Sequence, residues 1–299
     1  MVLTPDCGMG ESKGSVGIVG LGLIGGSLGL DLRDLGWSVQ GLVHRMATAE
    51  RALERGLVDV VSTDPACLSS CDLVILSLPI PALLAPESTL VEAIPESAVV
   101  TDVGSVKQPV LEVWRSLHPR FVASHPMAGT ASAGVEAGQA GLFRGRPWIA
   151  TPEAGTDPTA VEVVRTLAHD LGSQWHTASA EQHDQAVALI SHMPVLVSAA
   201  LLRTAGDERD PEIRQLAQSL ASSGFADSTR IGGGNPDLGV AMASSNSAAV
   251  LKALAAYRWS LEQLEDAVLR NNWQQLHREL QRTQSLRPDY QQSSPTGAS

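Results

Sequence analysis

Aromatic residues make up only 4% of this 299-residue chain, with three phenylalanines and two tyrosines. A core with so few rings must be filled by aliphatic side chains and close backbone approach, and the 27 glycines suit the latter. Cysteine is nearly absent as well. Cys7, Cys67 and Cys71 form no disulfide framework, and no second pair completes a structural zinc site. They are read as free thiols, buried or half-buried. Basic residues are in deficit, since 21 Lys and Arg against 32 Asp and Glu leave a formal net charge of −11. Such a chain suits neither nucleic acid nor an anionic membrane surface. Uninterrupted apolar runs long enough to span a bilayer are missing. The opening MVLTPDCGMGESKGS lacks the basic and apolar blocks of a secretory leader. The expectation is a cytoplasmic protein acting on a small molecule, without a metal, because no His, Cys and carboxylate spacing resembles a metal site.

What is present is a rhythm. Between Ser15 and about Trp175, short apolar runs alternate with longer stretches of helical spacing. The runs are VGIVG (16–20), SVQGLV (38–43), LVILSLP (73–79), AVVTDV (98–103), FVAS (121–124) and PWIAT (147–151). Near-continuous aliphatic runs are expected of parallel strands covered on both faces, and their alternation with helices implies a doubly wound α/β sheet. Beyond about Thr177 the strand pattern stops. Ser179 and Gln182 form a capping-box pattern ahead of a long apolar helix, in which Pro194 should break the bond to the Ile190 carbonyl and kink the chain. Leu251, Leu254, Tyr257, Leu261, Leu264 and Val268 recur at helical spacing, as a core or a dimer seam. The chain therefore divides into four parts. An N-terminus expected to be disordered (1–14) precedes a Rossmann-like α/β dinucleotide-binding domain (15–177). An all-α domain (178–286) and a loose tail (287–299) follow.

VGIVGLGLIGGSLG places Gly20, Gly22 and Gly25 in a GxGxxG string directly after a strand and at the start of a helix. The first glycine makes the turn, the second admits a pyrophosphate, and the third lets the helix pack on the strand. The helix N-terminus at Leu23 and Ile24 then meets the phosphate charge. An acid usually ends the second strand to bind the ribose 2′-hydroxyl of NAD. Here that strand ends in GLVHRMAT, with no acid. His44, Arg45 and Thr48 suit the 2′-phosphate of NADP instead.

Ligands collect at the carboxyl ends of such strands. Ser77, Leu78 and Pro79, with Val103 and Gly104, therefore join the expected cofactor site, and Ser105 borders it. Ser105 also reads as a plain helix N-cap before VKQPV, and Lys107 as a surface residue. In RFVASHPMAGTASAG, Pro126 biases His125 towards extended backbone, and the small residues beyond permit close approach. His125 falls where the nicotinamide end of a dinucleotide should lie. His118, His169, His176, His183 and His277 read as structural or solvated.

The glycine loop together with TDVGSVK, SHPMAGT, HDQAVALISHMPVLVSAAL and SSGFADSTRIGGGNPDLG resembles the prephenate/arogenate dehydrogenase family, most closely its cyanobacterial arogenate members. The likeness runs from about residue 15 to 285 in the family's order, and SHPMAGT paired with STRIGGGNP is its most specific part. It implies oxidative decarboxylation of a cyclohexadienol with hydride transfer to NADP. L-arogenate would give L-tyrosine; the alternative substrate, prephenate, would give 4-hydroxyphenylpyruvate. By the same resemblance His125 accepts the ring hydroxyl's proton, Ser105 helps hold that hydroxyl, and His192 and Arg230 hold the substrate. A homodimer through the helical domain is implied too. A histidine base near neutral pH agrees with the chemistry independently.

Two other functions compete. A β-hydroxyacid dehydrogenase would want a lysine on the first long helix of the second domain, and 180–203 holds none. A non-catalytic NADP sensor would not need His125, Ser105 and Arg230 together. Asp227, three residues before Arg230, could meet a substrate ammonium group or simply pair with that arginine.

Overall fold

The computed structural model describes residues 13–130 and 132–290. Cys7, nearly all of the expected disordered N-terminus and most of the expected tail lie outside them. Strands β1 (Ser15–Val19), β2 (Ser38–Leu42), β3 (Val60–Ser62), β4 (Leu73–Leu76), β5 (Val99–Asp102) and β6 (Phe121–Val122) form one parallel sheet in the order β3-β2-β1-β4-β5-β6. That is the order of dinucleotide-binding sheets, with a crevice where strand addition reverses between β1 and β4. Helices α1 (Leu23–Asp34), α2 (Met46–Glu54), α3 (Ile80–Leu84), α4 (Ser88–Ala93) and α5 (Gln108–Leu117) lie between the strands.

Every residue of β4 and β5 is buried, as the unbroken apolar sequence of β4 requires, and β5 buries Thr101 and Asp102 beside its two valines. Along β4, Leu73 and Ile75 join one core with Leu28, Leu32 and Val164. Val74 and Leu76 point the other way, into a second core with Val110 and Trp114. Trp114 stacks on Phe121 at 5.6 Å between ring centres.

The run FVAS does not stay in one strand. After β6 the chain turns off as β7 (Ser124–Pro126), which pairs antiparallel with β8 (Pro147–Ala150). β8 pairs in parallel with β9 (Gln174–Thr177), making a separate three-stranded sheet. A side-chain acceptor explains the switch: Asp102 Oδ1 accepts from the Ser124 N–H at 3.0 Å, in the place of a neighbouring strand's carbonyl. The short strands β3 and β9 carry exposed residues, including Val60 and Gln174, and give no apolar run to read. Helix α6 (Pro158–Asp170) packs beside this second sheet.

The helical half begins at α7 (Ala180–Val187), with the Ser179–Gln182 capping box in place. A π turn (Ala188–His192) then runs directly into α8 (Met193–Gly206). Pro194 sits in the first turn of α8, so the bond it cannot make is absorbed by the π turn and the helix continues. Helices α9 (Pro211–Leu220), α10 (Ser223–Thr229), α11 (Pro236–Ser245), α12 (Ser247–Leu269) and α13 (Trp273–Leu286) follow. A short 3-10 helix at Arg287–Tyr290 occupies the start of the expected loose tail.

The run Ala180–Gly206 has the length and mean hydropathy of a membrane-crossing helix, although Ser191, His192 and Pro194 interrupt its apolar sequence. Its flank carries exposed Leu189, Ile190, Leu201 and Leu202. On α12, the buried positions are Val250, Ala253 and Ala267, while Leu251, Leu261 and Val268 of the leucine stripe lie at least half exposed on a single protomer. Leu254 packs against Ala188, Val250 and Ala253, and Tyr257 and Leu264 are half-buried, so the stripe is part core and part outward-facing.

Candidate active site

The turn from β1 to α1 is built by glycine. Gly20 has φ +91°, and a Cβ there would stand 2.3 Å from the Ser77 carbonyl oxygen. A Cβ at Gly25 would stand 1.9 Å from the Gly20 oxygen, so this contact requires a hydrogen. Gly22 differs. It is the N-cap of α1, no side chain caps the helix, and a Cβ there would meet nothing within 4 Å. Open space therefore lies at the N-terminus of α1, over Leu23 and Ile24, as phosphate binding needs.

Beside it a cavity of about 360 Å³ is lined by Gly20, Leu21, His44, Arg45, Thr48 and Leu78, among others. Arg45 is the N-cap of α2 and exposed, and its side chain pairs with no described residue. Ser77 and Pro79 border the β4 end, Pro79 as the N-cap of α3. Val103 and Gly104 follow β5, with the Gly104 N–H donating to Asp102 Oδ2 at 2.9 Å. These residues fit a nicotinamide dinucleotide, with adenosine beyond the β2 end and the nicotinamide towards β5 and β7.

At that second end stands His125, in the middle of β7 and half-buried. Its Nδ1 lies 3.0 Å from His183 Nε2, and His183 Nδ1 lies 2.7 Å from Asp184 Oδ1. Nε2 of His125 makes no hydrogen bond with a described residue. Burial first, then the neighbouring His183, Lys107 and His192, push His125 well below the usual histidine range. Among the described residues Ser105 Oγ and His192 Nε2 are buried polar atoms without a well-formed hydrogen bond, which is costly unless a ligand supplies a partner. Burial pushes His192 down to about 4 against the opposing pull of Asp184 and of the Ser105 backbone.

The N-cap reading of Ser105 is not what the structure shows. Helix α5 starts after Lys107, and its first N–H groups are taken by Asp184, at 2.7 Å from Lys107 N–H and 2.9 Å from Gln108 N–H. Lys107, read as a surface residue, has no exposure at all and pairs with Asp102. Arg230 is exposed at the end of α10, and the described ion pairs include none between it and Asp227. It is not among the charged groups acting on His125.

Two family models match the chain: the prephenate dehydrogenase nucleotide-binding domain over residues 28–177, and its dimerization domain over 179–282. The chain belongs to the prephenate dehydrogenase family. It is an oxidoreductase of the prephenate/arogenate dehydrogenase type, in tyrosine biosynthesis, and uses a nicotinamide dinucleotide. It is similar to the crystal structure of Synechocystis arogenate dehydrogenase, with TM-score 0.79, 42% identity, and coverage of 93% of this chain and 100% of that one. A prephenate dehydrogenase from A. aeolicus, crystallised with hydroxyphenyl propionate and NAD+, superposes with TM-score 0.87 at 31% identity over 94% of this chain and 99% of that one. The cyclohexadienyl dehydrogenase of Zymomonas mobilis is 31% identical over 261 residues, 85% of this chain and 88% of that protein.

In this family member the structure brings His125, Ser105 and His192 to one place at the junction of the two domains. It adds Asp184, Asn246 and Asp102, which the sequence alone did not single out, and His183 and Lys107, which read there as a structural or solvated histidine and a surface lysine. The adjacent His-Asp pair ahead of an apolar helix was the one local signal for His183 and Asp184.

Proposed function

We propose that this chain oxidises and decarboxylates L-arogenate to L-tyrosine with NADP, as a cytoplasmic homodimer. The observation that carries the reading is His125, held through Nδ1 with Nε2 unbonded, beside Ser105 Oγ and His192 Nε2, which lack a well-formed hydrogen bond among the described residues. A bound nicotinamide ring would supply the hydride acceptor. His125 Nε2 accepts the ring hydroxyl's proton, so that loss of hydride from the same carbon leaves a neutral carbonyl. Ser105 Oγ holds that hydroxyl in line. The ring carboxylate then departs as carbon dioxide and the ring becomes aromatic.

Arg230, exposed and unpaired, serves a substrate carboxylate. Asp227 makes no pair with it, which leaves a carboxylate for the ammonium group that distinguishes arogenate. The 42% identity to the Synechocystis arogenate dehydrogenase supports the same choice. Arg45, without a side-chain partner among the described residues, and the absence of an acid from the strand end GLVHRMAT support NADP. The outward leucines of α8 and α12 and the match to a dimerization domain support the homodimer.

Prephenate is the second reading, favoured by the higher TM-score to the A. aeolicus enzyme. Comparing kcat/KM for arogenate and prephenate, each with NADP and with NAD, separates them. The expected maximum is arogenate with NADP; a prephenate preference overturns the substrate and leaves the family untouched.

A further inference from the structure

Asp184 stands at the seam between the two domains. Its Oδ1 accepts from the Lys107 N–H and its Oδ2 from the Gln108 N–H, so it caps α5 while belonging to α7. A carboxylate so engaged accepts from His183, which places the His183 proton on Nδ1 and a bare lone pair on Nε2. Across the 3.0 Å contact His125 must then donate from Nδ1. Its own lone pair is thereby placed on Nε2.

A second chain of bonds leaves the same residue through its backbone. Asn246 Nδ2 donates to the Asp184 carbonyl oxygen at 2.7 Å. That contact orients the amide, because Oδ1 in its place would face another acceptor. Asn246 Nδ2 also lies 3.2 Å from His192 Nδ1 and donates to it. The His192 proton therefore sits on Nε2, a buried atom without a well-formed hydrogen bond among the described residues.

We propose that Asp184 is a positioning residue that sets the two site histidines in opposite tautomers, His125 as proton acceptor and His192 as hydrogen-bond donor. The proposal rests on the reading of His125 as the base. When His125 takes the proton, its Nδ1–H keeps its bond to His183, and the Asp184 carboxylate behind His183 faces the new positive charge. The groups facing His125 are Lys107 from the β5–α5 turn, His183 on α7 and His192 at the end of the π turn. Lys107 and a protonated His192 oppose a charge on His125, and Asp184 is the acid directed at it through His183.

The tautomers can be read directly by two-bond ¹⁵N–¹H correlation spectra of the full chain labelled with ¹⁵N-histidine, assigned with His125→Asn, His183→Asn and His192→Asn. The expected pattern in the unaltered protein is Nδ1–H at His125 and His183 and Nε2–H at His192. Asp184→Ala removes the acceptor of the His183 Nδ1–H together with both caps of α5. His183 and His125 should then populate both tautomers, while His192 keeps Nε2–H through the unchanged backbone carbonyl. Turnover should fall about 10²–10⁴-fold, the scale of a wrong-tautomer variant in a catalytic triad. A merely structural Asp184 would change stability without moving the tautomers. Nε2–H at His125 in the unaltered protein overturns the proposal even if His125→Asn abolishes turnover, and this measurement does not depend on any Asp184 variant folding. A folded Asp184→Ala protein with unmoved tautomers overturns it as well. Full turnover in His125→Asn overturns the base reading instead.

Discussion

Lys107 and Asp102 form an ion pair closed to solvent on both sides, across the turn from β5 to α5. Lys107 Nζ also donates to the Ser124 carbonyl at 2.7 Å, and Asp102 Oδ1 accepts from the Ser124 N–H at 3.0 Å. The pair thus grips both backbone groups of the residue before His125. Burial lowers the lysine's pKa, and Asp102 opposes that shift. Desolvation makes such a pair a poor source of net stability. Its use here is to place β7.

Removing one partner leaves a buried charge uncompensated. Lys107→Met should therefore lose about 3–5 kcal/mol in a denaturant titration, within the range for broken buried pairs. The double variant Lys107→Met, Asp102→Asn should recover part of that loss. A single variant as stable as the unaltered protein would contradict the pairing.

Arg45 should govern the choice of nucleotide. Arg45→Ala removes the one cation at the β2 end of the cavity that can bond a 2′-phosphate bidentately. The Michaelis constant for NADP should rise roughly 10-fold or more, for a charge-assisted contact of about 1.5–3 kcal/mol, and that for NAD should hardly change. Steady-state kinetics with both nucleotides check this, and equal effects on the two would count against a phosphate contact.

His125→Asn keeps some hydrogen bonding and cannot take the proton, so turnover should drop about 10²–10⁴-fold. Substrate affinity, measured by calorimetry, should change little. The pH dependence has a definite sign. The base works as neutral imidazole, so activity is lost as pH falls through its pKa. The free side chain would place that limb near 6.5. Burial, with His183, Lys107 and His192 beside it, pushes it well below that value. The acid limb of kcat/KM should thus lie below 6.5 and be absent from the residual activity of the variant.

Gly25→Ala sets two effects against each other. Alanine is the better helix former by about 0.8–1.0 kcal/mol. Its Cβ would stand 1.9 Å from the Gly20 carbonyl oxygen, a backbone atom that cannot move aside without opening the turn. The clash should win, lowering the unfolding midpoint and weakening nucleotide binding together. A net gain in stability would show that the turn relaxes freely.

The membership of strands was legible where burial on both faces leaves an unbroken apolar run, as in LVIL of β4. It was not legible in β3 and β9, whose exposed residues carry no such pattern. FVAS and PWIAT read as two more strands of one sheet. Instead FVAS splits after Val122 and Ser124 joins PWIAT in a second sheet, because Asp102 takes the Ser124 N–H, and nothing in either run announces that bond. Lys107 read as surface because lysine is nearly always solvated; the acid that keeps it inside lies across a turn whose path a linear pattern does not show.

By itself the sequence determined what depends on near neighbours along the chain. The glycine string, the basic end of the second strand, the capping box before α7 and the order of apolar runs are local facts, each with a direct steric or hydrogen-bonding consequence. The tertiary structure alone decided what the histidines do for one another. His125 and His183 are 58 residues apart and Asp184 reaches an N–H 77 residues away. Tautomers follow from those bonds, and the bonds exist only once the helical half has docked on the open end of the sheet. A histidine's chemistry is set by its partner across space, and that partner is chosen by packing rather than by spacing.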